Sequence, residues 1–287
     1  MRTRMIRRGV WCALAALVAS ALPLRADDAA DLMRRVSAQY RSVTNEREDL
    51  DVILIATAHA DPYTRAQAAT LAANGGRGVT HKHAVRRIAY ATDRKDRAHL
   101  LLTQPADDAG TEFLVLRGGA DGSDEQRLYS PVLKRARLVA AGDKNPFVGT
   151  TFSLEDIREL TGERVERWDY RTVETSTHDG RATAVVEAVP RPGTESSYAS
   201  RMLWIDTQRS FPVRIEYRDP AGKPWKVLRN SALQEVLAGV WRSDLVEMRD
   251  VQLGEATLLL VTRRTVDADL PPHLFEVNQL GSGDAAD

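Results

Sequence analysis

Cysteine is nearly missing: the single one in 287 residues is Cys12, inside an N-terminal apolar stretch. The chain beyond it therefore carries no disulfide, no thiolate metal ligand and no cysteine nucleophile. Long hydrophobic runs are also missing, apart from residues 9–24, which fall short of the roughly 20 residues of a membrane-spanning helix and run straight into Asp27 and Asp28. Neither sign of charge dominates, with 40 basic against 40 acidic residues, so the basic excess or stripe that marks a nucleic-acid binder is not there. Catalytic signatures are absent too. No Gly-x-Ser-x-Gly elbow for a serine nucleophile occurs, and Gly75-Gly76-Arg77-Gly78 lacks the Lys-Ser/Thr and helix of a phosphate-binding loop, so it reads as a turn.

What is present begins with a leader. Arg2, Arg4, Arg7 and Arg8 precede the apolar residues 9–24, and Ala19-Ser20-Ala21 or Leu24-Arg25-Ala26 offers small residues for cleavage. This predicts a secretory signal peptide over residues 1–26 and a mature domain over 27–287, in the periplasm. Trp11 stands before Cys12, where lipoprotein processing wants a small residue, so the chain is not expected to be lipidated itself. Removing Arg2, Arg4, Arg7, Arg8 and Arg25 from the 40 basic residues leaves 35 against 40 acidic ones, a net charge of −5. About 260 residues suit one large β domain, and no low-complexity linker divides them.

Along the mature chain, Leu32, Val36 and Tyr40 recur at helical spacing, predicting an amphipathic helix over residues 31–40. Residues 49–60 fit a buried strand or a helical turn, and their β-branched residues favour strand. From Gln67 onward the pattern is that of successive antiparallel strands. Residues 74–78 read as a hairpin turn, and strands follow at 80–92, 97–103 and 111–117. After a second helix near Glu155 come strands at 168–176, 181–189, 199–206, 213–219, 225–236, 240–251 and 256–266. In Val213-Arg-Ile-Glu-Tyr-Arg218 the alternation is strict, which turns Val213, Ile215 and Tyr217 inward. Residues 202–205 and 257–261 are apolar on both faces and need cover on each side.

The stretch 125–157 organises the rest. Its first part holds two apolar/charged alternations broken by Ser130-Pro131, as in two strands joined at a kink. Its second part runs through the turn formers Gly142-Asp143-Lys144-Asn145-Pro146 and then Phe147, Gly149 and Phe152 to Ser153-Leu-Glu-Asp, an N-cap with acidic residues in the first helical turn. Leu128-Tyr129-Ser130-Pro131-Val132-Leu133-Lys134-Arg135-Ala136-Arg137 and Phe147-Val148-Gly149-Thr150-Thr151-Phe152-Ser153-Leu154-Glu155-Asp156 resemble paired segments of the outer-membrane lipoprotein-sorting-like family of bacterial periplasmic proteins. The chain departs from that pattern at Thr150-Thr151, where the family has Ser-Asp. The tail Leu270-Pro-Pro-His-Leu-Phe-Glu-Val is similar to the family's closing segment, so the resemblance spans about residues 67–280, with 49–65 reading as an insertion.

The resemblance implies a mainly β fold: a strongly curved antiparallel sheet, an incomplete barrel whose concave face is covered by helices and encloses an apolar cavity. It also implies a carrier for a lipid or lipoprotein acyl chain moving toward the outer membrane, without cofactor or catalysis. Alternation picks Phe113, Val115, Leu203, Ile205, Val213, Ile215, Tyr217, Leu258 and Leu260 as cavity-lining, subject to a one-residue face error. Phe147, Gly149 and Phe152 are the candidate lid. Arg135 and Arg137 share a strand face that could meet a headgroup or an inner-membrane transporter, although edge strands are also charged simply to prevent aggregation. His81-Lys-His83 has zinc spacing but no third ligand in its neighbourhood, so it reads as a solvated face with no metal. A monomer is expected. The rival readings are a docking module for a transporter without lipid cargo, and an envelope hydrolase working through His81 and His83.

Overall fold

The computed structural model describes residues 26–119, 122–140, 143 and 145–282. The leader read over residues 1–26 lies outside them, except for Ala26, which opens the first helix. Helix α1 (Ala26–Tyr40) opens the described chain, followed by strand β1 (Asn45–Ile55), helix α2 (Arg65–Asn74), and strands β2 (Val79–Ala89), β3 (Arg97–Gln104), β4 (Glu112–Leu116), β5 (Glu125–Ser130) and β6 (Arg135–Leu138). Helix α3 (Leu154–Glu159) then leads to β7 (Trp168–His178), β8 (Arg181–Pro190), β9 (Ser200–Asp206), β10 (Phe211–Arg218), β11 (Pro224–Leu237), β12 (Val240–Asp250) and β13 (Glu255–Val266). All thirteen strands form one antiparallel sheet in the order β6-β5-β4-β3-β2-β1-β13-β12-β11-β10-β9-β8-β7. It is an open half-barrel, mainly β, as the sequence predicts. Among the described residues no helix is long and apolar enough to cross a membrane.

The order of strands fixes where the function can lie. Two meanders, β1 to β6 and β7 to β13, are joined in the middle of the sheet by β1 pairing with β13. Strands β6 and β7 are neighbours in sequence but sit at opposite edges, so residues 139–167 between them must cross the open side of the half-barrel. The conspicuous stretch of the sequence supplies the last two strands of the β6 edge and then, from Pro146 to Ile157, enters that crossing.

Period-two alternation then separates two cores. The inner one gathers Leu50 and Val52 of β1, Ala84 and Ile88 of β2, Leu100 and Leu102 of β3, Phe113 and Val115 of β4, and Leu203, Ile205, Ile215, Leu228, Val246, Leu259 and Val261 from the far side. Helix α1 adds Ala29, Leu32, Met33 and Val36, one stripe at helical spacing, and the crossing adds Phe147, Phe152, Leu154 and Ile157. Residues from both ends of the sheet belong to one cluster because the sheet curls around them. The outer core is smaller: Ile53, Ile55, Leu245, Ala256, Leu258 and Leu260 under Tyr63 and Ala68 of the α2 segment.

Three sequence expectations change. Residues 49–55 of the stretch read as an insertion are strand, as their β-branched residues suggested, and lie at the sheet's centre, because β1 pairs with β13 along one edge and with β2 along the other. Residues 67–73 belong to helix α2, not to a strand: Thr64 and Gln67 make a reciprocal capping box in front of an alanine-rich run of high helix propensity. This helix covers the outer face, whereas α1 and α3 cover the concave one. The C-terminal tail is also laid on the outer face, where Phe275 packs near Arg97, and Gly281 donates its amide to Glu112 Oε1 at 2.8 Å. A Cβ on Gly281 would stand 2.3 Å from the Tyr129 ring, so only glycine passes there.

Candidate functional site: the plugged inner face

The crossing segment contains a closed loop, residues 146–153, that seals the inner face. Pro146 and Ser153 bridge its ends, and the Phe147 amide donates to the Phe152 carbonyl at 2.8 Å. Inside it, the Thr150 amide and hydroxyl both donate to the Phe147 carbonyl, at 2.9 and 2.7 Å. Val148 and Gly149 take φ of 46° and 76° to close the turn. Glycine suits that region, but a β-branched valine is strained there, at a cost of about 1–3 kcal/mol. The turn drives both aromatic rings inward: Phe152 is fully buried, Phe147 nearly so, and the Phe147 and Phe113 rings lie 5.8 Å apart.

Among the described residues, the loop's hydrogen bonds to the sheet come from one residue. The Thr151 amide donates to Thr257 Oγ1 at 2.9 Å, and its hydroxyl donates to the Met248 carbonyl at 2.7 Å. So the departure from the family pattern at Thr150-Thr151 has a structural role here: Thr150 closes the loop and Thr151 moors it.

Helix α3, immediately after, is held differently. Ser153 and Asp156 form a capping box, and Asp156 also accepts from Lys226 Nζ at 2.8 Å and from the Tyr198 hydroxyl at 2.6 Å. Glu155 accepts from Ser196 Oγ and the Ser197 amide, each at 2.7 Å. Beyond the helix, Glu163 receives Arg201 and the Tyr170 hydroxyl, both at 2.6 Å. Burial, and then the Asp156 carboxylate, push the Tyr198 phenol well above its ordinary value and keep it a donor.

Between plug and sheet little space remains. A cavity of about 20 Å³ is bounded by Leu50, Val52, Leu100, Leu102, Phe147, Phe152, Ile157 and Leu259, with Lys82 and Arg86 at its edge. A second, of about 50 Å³, lies between α1 and the Leu203, Ile215, Tyr217 and Leu228 side chains. Neither approaches the roughly 300–1,000 Å³ of a ligand pocket.

Of the residues chosen by alternation, Phe113, Val115, Leu203, Ile205, Ile215 and Tyr217 do join the inner core. Val213 is buried but lies outside that cluster, where the β9–β10 register shifts between Pro212 and Arg214. Leu258 and Leu260 face the outer core, and Leu259 and Val261 take the inner face instead, because β13 is apolar on both sides and gives no alternation to read. Leu50, Val52, Leu100, Leu102, Lys82 and Arg86 were missed. The pattern grouping Lys82, Ala84, Arg86 and Ile88 was visible, but not which way it pointed.

Arg135 and Arg137 lie on β6, the exposed edge strand, beside the outward Val132, Leu133 and Leu138. Arg137 is 3.8 Å from Asp143. His81 and His83, read as lacking a third donor, have one: Asp51 of β1 stands opposite His83 across the strand pair. The sequence hid it because strand register, not sequence distance, brings it there.

The site is therefore an open half-barrel whose apolar inner face is closed by a helix and a loop. The comparisons agree on the fold. An outer membrane lipoprotein-sorting protein domain from Vibrio parahaemolyticus superposes with a TM-score of 0.77 at 21% identity, covering 89% of this chain and 99% of that one. A DUF1329 family protein from Desulfovibrio piger gives 0.74 at 21% identity, with 88% and 97% covered. A LolA superfamily protein from Nitrosomonas europaea gives 0.62 at 14% identity, with 90% and 100% covered. No curated protein matches the chain. A family model described only as an uncharacterized protein matches residues 94–282. The chain belongs to that family, and its fold is the one these three structures share.

Proposed function

We propose that the protein is a periplasmic carrier that holds a lipid or lipoprotein acyl chain, without covalent attachment, on the inner face of the half-barrel for transfer toward the outer membrane. The observation that carries this reading is the construction of the plug. The apolar inner face is covered at residues 146–153 by a loop bonded mostly to itself, strained at Val148 and, among the described residues, hydrogen-bonded to the sheet through Thr151. Cargo enters by displacing it. Two phenylalanine side chains contribute about 1.5–3 kcal/mol each by burial, whereas a chain of about sixteen carbons contributes on the order of 12 kcal/mol at about 0.8 per CH₂. Exchange of plug for chain is therefore favourable before ordering costs. Helix α3, pinned by Asp156–Lys226 and followed by the Glu163–Arg201 pair, stays in place as the hinge post. Binding of this kind needs no catalytic group.

Titration of the mature protein with a fluorescent long-chain fatty acid tests the proposal. Saturable uptake at one equivalent, faster in Thr151→Val, supports it; no uptake by either protein sinks it.

A second reading is favoured by the small cavities and by the edge strand. With a permanently packed interior, the protein would dock an inner-membrane transporter through β6, where Val132 is 82% and Leu138 62% exposed beside Arg135 and Arg137. That reading predicts no fatty-acid uptake, and loss of partner capture on Arg135→Glu/Arg137→Glu.

A further inference from the structure

The outer face of the sheet is covered in two places, by α2 over β1, β12 and β13 and by the C-terminal tail over β3 and β4. Beside α2 an open cleft of about 770 Å³ remains, lined by Ala66, Ala69 and Ala73 of that helix and by Leu260 of β13. At its edge stand three side chains from two neighbouring strands. Asp51 Oδ1 lies 2.7 Å from His83 Nδ1 and 2.9 Å from His81 Nε2. One ligand atom from each of the three falls within 4.8 Å of the others, and the imidazole rings are 4.4 Å apart, edge to face.

We propose that Asp51, His81 and His83 form a zinc-binding site. Two imidazoles and one carboxylate are the donors zinc takes at sites with three protein ligands, the fourth position being left to water. Here that position opens toward the cleft. The spacing of the donors follows from the sheet: His81 and His83 are two apart and share a face, and Asp51 is the register partner of His83. Both strands are interior, β1 between β2 and β13 and β2 between β1 and β3, so the backbones carrying the ligands are fixed from each side. Alanines on the facing turn of α2 leave the room that larger residues would fill. An ordinary solvated strand face explains exposed histidines, but not the convergence of both, at hydrogen-bond distance, on one carboxylate whose side chain is only 12% exposed. The site is on the opposite face from the acyl-chain groove and does not depend on the carrier reading.

The test uses mature protein without a polyhistidine tag, stripped with chelator and titrated with Zn²⁺ against a chromophoric competitor. One equivalent of Zn²⁺ is expected, with Co²⁺ giving the visible bands of a four-coordinate site. Even partners outside the coordination shell are worth about 10–100-fold in metal affinity, so His81→Ala and His83→Ala should each weaken binding by about a hundredfold or more. His178→Ala, on the distant edge strand β7, should leave it unchanged. Asp51→Asn, which keeps the side chain's shape, should weaken zinc binding while the zinc-free melting temperature stays put. Zinc should raise the melting temperature of the wild type but not of His83→Ala. Binding below one equivalent, or binding that His81→Ala and His83→Ala leave intact, overturns the assignment.

Discussion

Strands β1, β2 and β13 show two faces made from alternate residues of the same segments, and the two faces are finished in opposite ways. Inward, Leu50, Val52 and Leu259 are sealed under Phe147 and Phe152 with about 20 Å³ to spare. Outward, Asp51, His81 and His83 edge a cleft of about 770 Å³ that remains open to solvent. The difference lies in the cover. The inner cover is a loop held by aromatic burial and one threonine. The outer cover is a capped helix whose small residues leave space without being moved. One sheet thus carries a closed apolar face on one side and, on the other, an open cleft edged by ionisable groups.

The largest effects should come from the anchors of the inner face. Lys226→Met leaves the buried Asp156 carboxylate without its cation and should cost about 3–5 kcal/mol, read as a fall in Tm on the order of 10 °C in a thermal melt. Phe152→Ala should cost about 3–5 kcal/mol and Leu258→Ala, fully buried on the outer face, about 2–5 kcal/mol. The two faces part company in a second measurement: of these two variants only Phe152→Ala should change fatty-acid retention. Equal loss of retention in Leu258→Ala would break the comparison.

Acid should act on the α3 side next. Burial alone would raise the Glu159 carboxyl, but Arg158 and Arg117 beside it outweigh that and hold it below its ordinary value of 4.5. Since the folded value lies below the unfolded one, the stabilisation is complete above about pH 4.5 and is lost as the pH falls through the folded value. Glu159→Gln should therefore flatten the acid limb of the Tm–pH curve. A smaller effect is expected from Thr151→Val, which removes a hydrogen bond worth about 1 kcal/mol yet should speed fatty-acid uptake. The smallest stability change, within about 0.5 kcal/mol, belongs to the exposed Arg135→Glu/Arg137→Glu pair, and a melt checks it.

Much of this architecture could be read from the sequence. Strands β7 to β13 are punctuated by Gly, Asp and Pro turns, and their predicted limits fall within a few residues of the observed ones. The two strands about Ser130-Pro131 and the Ser153 cap were legible for the same local reasons. What was hidden is non-local. Strand β13, apolar on both faces, could not say which side Leu258 and Leu260 take until α2 was seen to cover them. Helix α2 itself was obscured by an alanine-rich stretch with little amphipathic pattern, though Thr64 and Gln67 were a readable signal. Asp51 joins His81 and His83 only through the β1–β2 register. The plug's aromatics were visible as a cluster, whereas the mooring by Thr151 needed the position of Met248 and Thr257.

Native mass spectrometry of the protein purified from the periplasm tests the carrier account most directly. The account predicts a population shifted by the mass of one acyl-containing molecule, released by organic solvent and restored by incubation with long-chain fatty acid. A single apoprotein mass that no lipid shifts, in wild type and in Thr151→Val alike, would contradict it.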